Sequence, residues 1–310
     1  MAYMWDGRRY HCLDYELKKR FGEKMYKLSL DGGMTCPNRD GSLGYGGCIF
    51  CSGEGSGDFA AQMNTDIRRQ LLQAKAILGK KYGGSRYIAY FQSYTNTYAP
   101  VSYLEKLFTE VIQQEDIAVL DIATRPDCLG RDVLELIRSL TAVKPVWVEL
   151  GLQTSDDRTA ALIHRCYPTA LYSQAVSNLH QAGAEVITHM IIGLPGENRN
   201  TILQTADYIA SCGSDGIKLQ LLHVLRGTVL AQMYERGECS VLTEDDYISL
   251  LCDIIARLPP EIVIHRLTGD GNKDTLIAPL WSCRKGAVLN HIHHALRLRG
   301  IIQGCAPLES

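Results

Sequence analysis

Three cysteines, Cys36, Cys48 and Cys51, fall within one sixteen-residue stretch, CPNRDGSLGYGGCIFC. Thiolates are soft ligands, and three so close together point to a metal centre. The stretch holds five glycines or prolines (Pro37, Gly41, Gly44, Gly46, Gly47), which makes it a loop rather than a helix or strand. Glycine reaches dihedrals that other residues avoid, so such a loop can wrap a bulky inorganic group. Structural zinc takes four protein ligands, and fully ligated four-iron clusters take four cysteines. Three sulfurs with no fourth close in sequence therefore suit a four-iron cluster with one iron open to the N and O atoms of a ligand. A zinc site completed by one of the nine histidines is the competing reading.

A disulfide framework does not fit 11 cysteines, an odd number, in a chain of 310 residues that can bury a conventional core. The other eight cysteines are scattered singly, which reads as small buried hydrophobes. The compartment is thus expected to be reducing and the protein cytoplasmic. No apolar run approaches the roughly 18 residues of a membrane span. The net charge of −2 excludes a strongly basic nucleic-acid binder, yet residues 1–30 and residues 284–310 each carry +3. Those two basic ends are candidates for gripping a phosphate backbone.

The elements that must position the loop alternate along the chain. Residues 25–31 read as a strand leading into it. A helix over 64–79, capped by Asn64 or Thr65, is followed by a strand at 86–92 and a helix at 101–114. Strands at 117–123, 146–152, 185–192 and 216–222 follow, separated by helices near 130–141, 170–182 and 199–211. Repeated βα units predict a parallel sheet, and six without a nucleotide-binding glycine fingerprint predict an incomplete (β/α)6 barrel of TIM type. Groups that do chemistry in barrels sit at the C-terminal strand ends, where the cysteine loop falls. The expected organisation is an N-terminal basic extension (1–24), the partial barrel (25–235) and a C-terminal helix–strand–helix extension (236–310).

These residues resemble the radical S-adenosylmethionine (SAM) enzymes. The eleven residues between Cys36 and Cys48 resemble the branch that includes the Elongator catalytic subunit, and within it the bacterial YhcC/YtqA type. The segments carrying the likeness are the cysteine loop, YFQSYTNTY (90–98), TRPD (124–127), ELGLQ (149–153), IGLPGE (192–197), RGT (226–228) and HRLTGD (265–270). The resemblance implies a [4Fe-4S] cluster held by Cys36, Cys48 and Cys51. SAM would bind the open iron and be cleaved to a 5′-deoxyadenosyl radical that takes a hydrogen atom from substrate. It implies cofactor contacts at Gln92 and Ser93, Gln153, Arg165 against the SAM carboxylate, and Ile192 and Gly193 against adenine. His164-Arg165-Cys166-Tyr167 departs from the Asn-Arg-Gly-His expected there, and Ala123 replaces the acid of an Elongator-type Glu-Thr-Arg-Pro-Asp.

The resemblance also implies a substrate, the wobble uridine of tRNA, with 5-carboxymethylaminomethyluridine becoming 5-aminomethyluridine. An electron donor such as flavodoxin or ferredoxin would be a partner, and no membrane is involved. A carboxylate substrate needs a fixed cation, and Arg125, Lys218, Arg226 and Arg266 fall at or near strand ends. Of these, Arg125, Lys218 and Arg266 are the candidate catalytic residues. Tyr90, Tyr94 and Tyr98 are placed to stack on a flipped base. The alternatives are the same radical chemistry on a small metabolite and a non-enzymatic zinc or iron–sulfur protein.

Overall fold

In each strand the side chains alternate between two environments, and that period of two builds the molecule. The computed structural model describes residues 4–53, 66–79, 84–269, 271 and 273–306. In chain order the elements are α1 (Leu13–Phe21), β1 (Tyr26–Leu30), α2 (Ile67–Leu78), β2 (Tyr87–Phe91), α3 (Val101–Ile112), β3 (Ile117–Thr124) and α4 (Arg131–Thr141). Next come β4 (Val146–Gln153), α5 (Asp157–Leu162), α6 (Ala170–Gln181), β5 (Glu185–Ile192), α7 (Arg199–Ser211), β6 (Gly216–Leu221), β7 (Val224–Leu225) and α8 (Val229–Glu235). The chain closes with α9 (Glu244–Arg257), β8 (Val263–Arg266), β9 (Leu276–Ala278) and α10 (Lys285–Leu298).

Seven parallel strands form one curled half-barrel sheet in the order β1-β2-β3-β4-β5-β6-β8. The strand expected in the C-terminal extension is the seventh member of this sheet, beside β6. The outward rows, such as Leu28 and Leu30 of β1 and Leu120 and Ile122 of β3, pack under the surrounding helices. Each such fully buried side chain contributes about 1.5–3 kcal/mol. In α4 the buried residues Val133, Leu136, Ile137 and Leu140 follow the helical period that faces the sheet. Asp66 caps α2, accepting from the amides of Arg68 and Arg69; Asn64 and Thr65 lie outside the described residues, as does Asp270.

The inward rows form three levels. The lowest is apolar, with Ile88, Val119, Trp147 and Ile187 packed against Leu17 and Phe21 of α1. The N-terminal stretch is therefore a plug for the barrel end opposite the cysteine loop. Its cations are engaged there: Arg20 forms a two-pronged pair with Glu185, and Lys18 reaches Asp14. The His11 carbonyl accepts from the amide of Ile264, and so the N-terminal stretch covers the free edge of β8. The two basic ends do meet, through Tyr10 against His293 and Gln303 against His11. Among the scattered cysteines, only Cys12 and Cys252 are buried, while Cys166, Cys283 and Cys305 are exposed. The expectation that these eight are buried hydrophobes fails for the last three, of which Cys166 and Cys305 sit on loops and Cys283 ends a short 3-10 turn. No described helix is long and apolar enough to cross a membrane.

Candidate active site

The cysteine loop crosses the C-terminal ends of β1, β2 and β3. It is a folded turn system, with Leu43 N–H bonded to the Pro37 carbonyl and Gly47 N–H to the Asn38 carbonyl. Gly41 adopts φ +92°, a backbone conformation that L side chains rarely adopt, so glycine suits this turn. Ile49, 2 % exposed, nails the loop down: its amide bonds to the Ile163 carbonyl and its carbonyl accepts from Leu230. The loop is thereby part of a second apolar cluster above the barrel, with Leu194, Leu222 and Val224.

Cys36, Cys48 and Cys51 line one cavity, together with Gln92, Arg125 and Gln153. The hydrogen bond between Cys48 and Cys51 holds the Cys51 thiol below its ordinary value and pushes Cys48 well above it. Arg39 and Arg125 lend positive charge that favours thiolate. Among the described residues, no three His, Cys, Asp or Glu side chains converge on a point as ligands of a single ion would. A cubane spreads its ligands over separate corners.

The backbone around this cavity is strained. Tyr94, Gln153, His164 and Cys166 have φ of +57°, +65°, +56° and +63°, and the one other such non-glycine residue described is Asp6. Strain of this kind concentrates at functional sites. Gly151 leaves room for the Gln153 side chain as placed, because a Cβ at 151 would stand 2.6 Å from its Nε2. The Gln92 Nε2 is buried with no partner among the described residues, and Gln92 lines the cavity. A buried donor without an acceptor is costly unless a polar ligand meets it, so the cavity fits a cofactor with carboxylate or hydroxyl oxygens.

The sequence profile of the Radical SAM superfamily matches residues 36–209, starting at the first of these cysteines. The chain belongs to the radical SAM superfamily. The profile of the Radical_SAM C-terminal domain matches residues 214–297. The uncharacterized protein YtqA of Bacillus subtilis is 45% identical over 297 residues, covering 96% of this chain and 92% of its own. A tRNA uridine(34) acetyltransferase of Dehalococcoides mccartyi is 29% identical over 169 residues, which is 53% of this chain and 36% of that protein. Archaeal Elp3 of Methanocaldococcus infernus matches in fold with a TM-score of 0.68 at 16% identity, covering 90% of this chain and 64% of that one. Radical SAM proteins use a [4Fe-4S] cluster with SAM, and the three thiols, the orphaned Gln92 amide and Gln153 are the residues here that would hold them.

Other expected contacts lie elsewhere. Arg165 is 1 % exposed, and its guanidinium is used up by the carbonyls of Leu152, Thr154 and Tyr167, the Asp157 carboxylate and Thr169. It has no donor left for a SAM carboxylate. Instead it moulds the 163–169 loop, whose His164 carbonyl accepts from Asn38 and whose Tyr167 lines the cavity. Arg165→Lys is expected to cost about 3 kcal/mol through lost charge-assisted bonds and to reduce iron retention after reconstitution, measured by urea unfolding and iron analysis. Ile192 packs outward under the helices, and Gly193 opens on a different cleft, between the β5–α7 turn and residues 238–242. Ser93 is 2 % exposed and its carbonyl accepts from Asn96, so it stands behind Gln92 and outside the cavity lining. Arg125 lines the cavity, but forms a two-pronged pair with Asp127. The three tyrosines separate: Tyr94 lies at the cavity mouth beneath Arg39, Tyr90 is in the floor, and Tyr98 bonds Ser42 beside another groove.

The floor is the middle inward level of the barrel, and the sequence reading missed most of it. Glu149 accepts from Lys27 at 2.6 Å, Lys218 at 2.5 Å and His189 at 2.6 Å, while Lys27 also holds Asp121 at 2.5 Å. Tyr90 lies between the two lysines, whose ammonium nitrogens are 4.4 and 4.5 Å from its ring centre. The signal was present as Lys27, Tyr90, Asp121, Glu149, His189 and Lys218, one polar residue on the inner face of each of six strands. A register shift sets two residues of β8 against Lys218, as a bulge does, and turns Arg266 toward Tyr90, His189 and Lys218, whose titrations it perturbs. Among the described residues Arg266 has no hydrogen bond or ion pair.

At the lip of the neighbouring cleft, burial pushes Glu197 up to about 7, and its Oε2 has no partner among the described residues. An acid whose folded value is raised binds more protons folded than unfolded, so stability falls as pH rises from its ordinary range through about 7. Glu197→Gln is expected to gain about 1–2 kcal/mol over the parent at about pH 8 and almost nothing at about pH 5, by urea unfolding.

Proposed function

We propose that this radical SAM protein acts on a carboxylate-bearing wobble uridine of tRNA, converting 5-carboxymethylaminomethyluridine to 5-aminomethyluridine. The observation that carries the reading is the Arg266 guanidinium, unpaired among the described residues and turned into the barrel beside Lys218, below the thiol cavity. A half-buried cation without a counterion is costly and is satisfied by an anionic substrate group. Similarity to a protein named as a tRNA uridine(34) acetyltransferase supports the choice of nucleic acid and base. When bound, cluster and SAM supply removal of a hydrogen atom from the side-chain methylene and take back one electron, leaving an imine.

The residues of this chain divide the remaining work. Arg266 holds the carboxylate, which fixes the adjacent methylene toward the cavity. Tyr94, under Arg39 at the mouth, offers a stacking face for the base. Lys27, Glu149 and His189 hold the floor rigid and dry. Flavodoxin or ferredoxin is the kind of donor the chemistry requires. The test is anaerobic reconstitution with SAM, reductant and tRNA carrying the carboxymethylaminomethyl group, followed by nucleoside mass spectrometry. Conversion to 5-aminomethyluridine is expected. Deoxyadenosine without any nucleoside change would transfer the activity to a small metabolite.

A further inference from the structure

We infer that Lys218 is a covalent catalyst whose amine takes the two-carbon fragment from the oxidised substrate as a lysine imine. This rests on the wobble-uridine reading and goes past it, because that reading leaves open how the imine is broken. Lys218 stands on the inward row of β6 with its side chain 4 % exposed. Its nitrogen is 2.5 Å from the Glu149 carboxylate and 3.2 Å from the Tyr90 hydroxyl, and both of those groups line the thiol cavity. Its register partner is Arg266, the unpaired guanidinium assigned to the substrate carboxylate. An imine carbon next to a carboxylate held by Arg266 therefore lies beside an amine.

The chemistry of the neighbours favours nucleophilic attack. Burial, aided by Lys27 and Arg266 and opposed by Glu149, pushes the Lys218 ammonium down to about 7. Lys27 behaves oppositely: burial works against its charge, but Asp121 and Glu149 hold it above its ordinary value. A lysine desolvated next to another cation is a recognised way to a free amine near neutrality. The pocket thus contains one lysine built to stay charged and one built to give up its proton.

The step balances without any further oxidant. The Lys218 nitrogen forms a bond to the imine carbon, and the bond from that carbon to the uridine side-chain nitrogen breaks. The Lys218 amine gives up two protons as its imine forms, and these pass in turn by way of Glu149 to the departing nitrogen, which leaves as the amine of 5-aminomethyluridine. Water then hydrolyses the lysine imine, releasing glyoxylate and restoring the amine. Water need enter only after the radical chemistry is over.

The test treats the reconstituted full chain with glyoxylate and sodium cyanoborohydride and maps carboxymethylated lysines by peptide mass spectrometry. Lys218 is expected to carry the adduct at least about tenfold over Lys27, as a free amine near neutrality against a lysine held charged would. Lys218→Arg keeps the charge beside Glu149 but cannot form an imine, and is expected to retain cluster iron and its unfolding midpoint while losing 5-aminomethyluridine formation. Lys218 left unlabelled, or wild-type product rates in Lys218→Arg, would overturn the inference and leave the wobble-uridine reading standing. Should Lys218→Arg not fold, labelling of the wild-type protein alone decides. Unchanged tRNA nucleosides with the wild-type protein would overturn that reading instead.

Discussion

Cys48→Ala is expected to give a folded protein that binds less iron and produces no deoxyadenosine from SAM. The cavity loses one of its three sulfurs, while the anchor beside it, Ile49 with its bonds to Ile163 and Leu230, is untouched. Its unfolding free energy should stay within about 1 kcal/mol of the parent, since a half-buried thiol makes few contacts. Iron and sulfide analysis with electron paramagnetic resonance of the reduced protein checks the first part, and urea unfolding the second. Cys166 makes the control. Its sulfur and that of Cys48 both lie against the His164 carbonyl, so it is the nearby thiol with a chance of capping a cluster. Cys166→Gly should keep full iron and gain about 1 kcal/mol, because glycine tolerates the φ of +63° that cysteine does not. Loss of the iron signal in Cys166→Gly would show a fourth ligand and remove the open iron from the scheme.

Glu149→Ala should be the most damaging single change to the fold, at about 3–5 kcal/mol. Its carboxylate is fully enclosed and serves three donors, and removal leaves Lys27 with Asp121 alone and Lys218 and His189 without the carboxylate they bond. Surrounding cations, after the cost of its own burial, hold Glu149 well below the ordinary carboxylate range, so it is charged throughout the range in which the protein is handled. Glu149→Gln, which keeps the volume and one acceptor, should cost less than the alanine variant. Lys18→Ala, which breaks an exposed pair with Asp14, should cost under about 1 kcal/mol. Urea unfolding of the three proteins orders them. If Glu149→Ala unfolds at the parent midpoint, the buried network contributes nothing to the fold.

Much of the architecture was legible because it depends on local pattern. Apart from α2, which begins at Ile67 instead of 64, the six strands and their intervening helices sit within a residue or two of their sequence positions, since apolar periodicity and caps such as Asn198 act over a single turn. Helix α1 was not recognised, because its stretch reads as basic; its apolar face matters only once Leu17 and Phe21 meet the bottom of the barrel. Gln92 and Gln153 were legible as cavity residues because they end strands that were read correctly. Arg165 was misassigned to the cofactor for the opposite reason. Its partners come from β4, α5 and the turn before α6, and no sequence interval shows five acceptors converging on one guanidinium.

The three-cysteine loop, the βα alternation and the superfamily were determined by the sequence itself, because each is a matter of residue type and short spacing. Which charges face one another was decided only by the tertiary structure. Lys27 and Glu149 are separated by 122 positions and meet at 2.6 Å because parallel strands bring equivalent inward positions to one level. The inward turn of Arg266 depends on a register shift against β6, and a shift between strands has no counterpart in either strand alone.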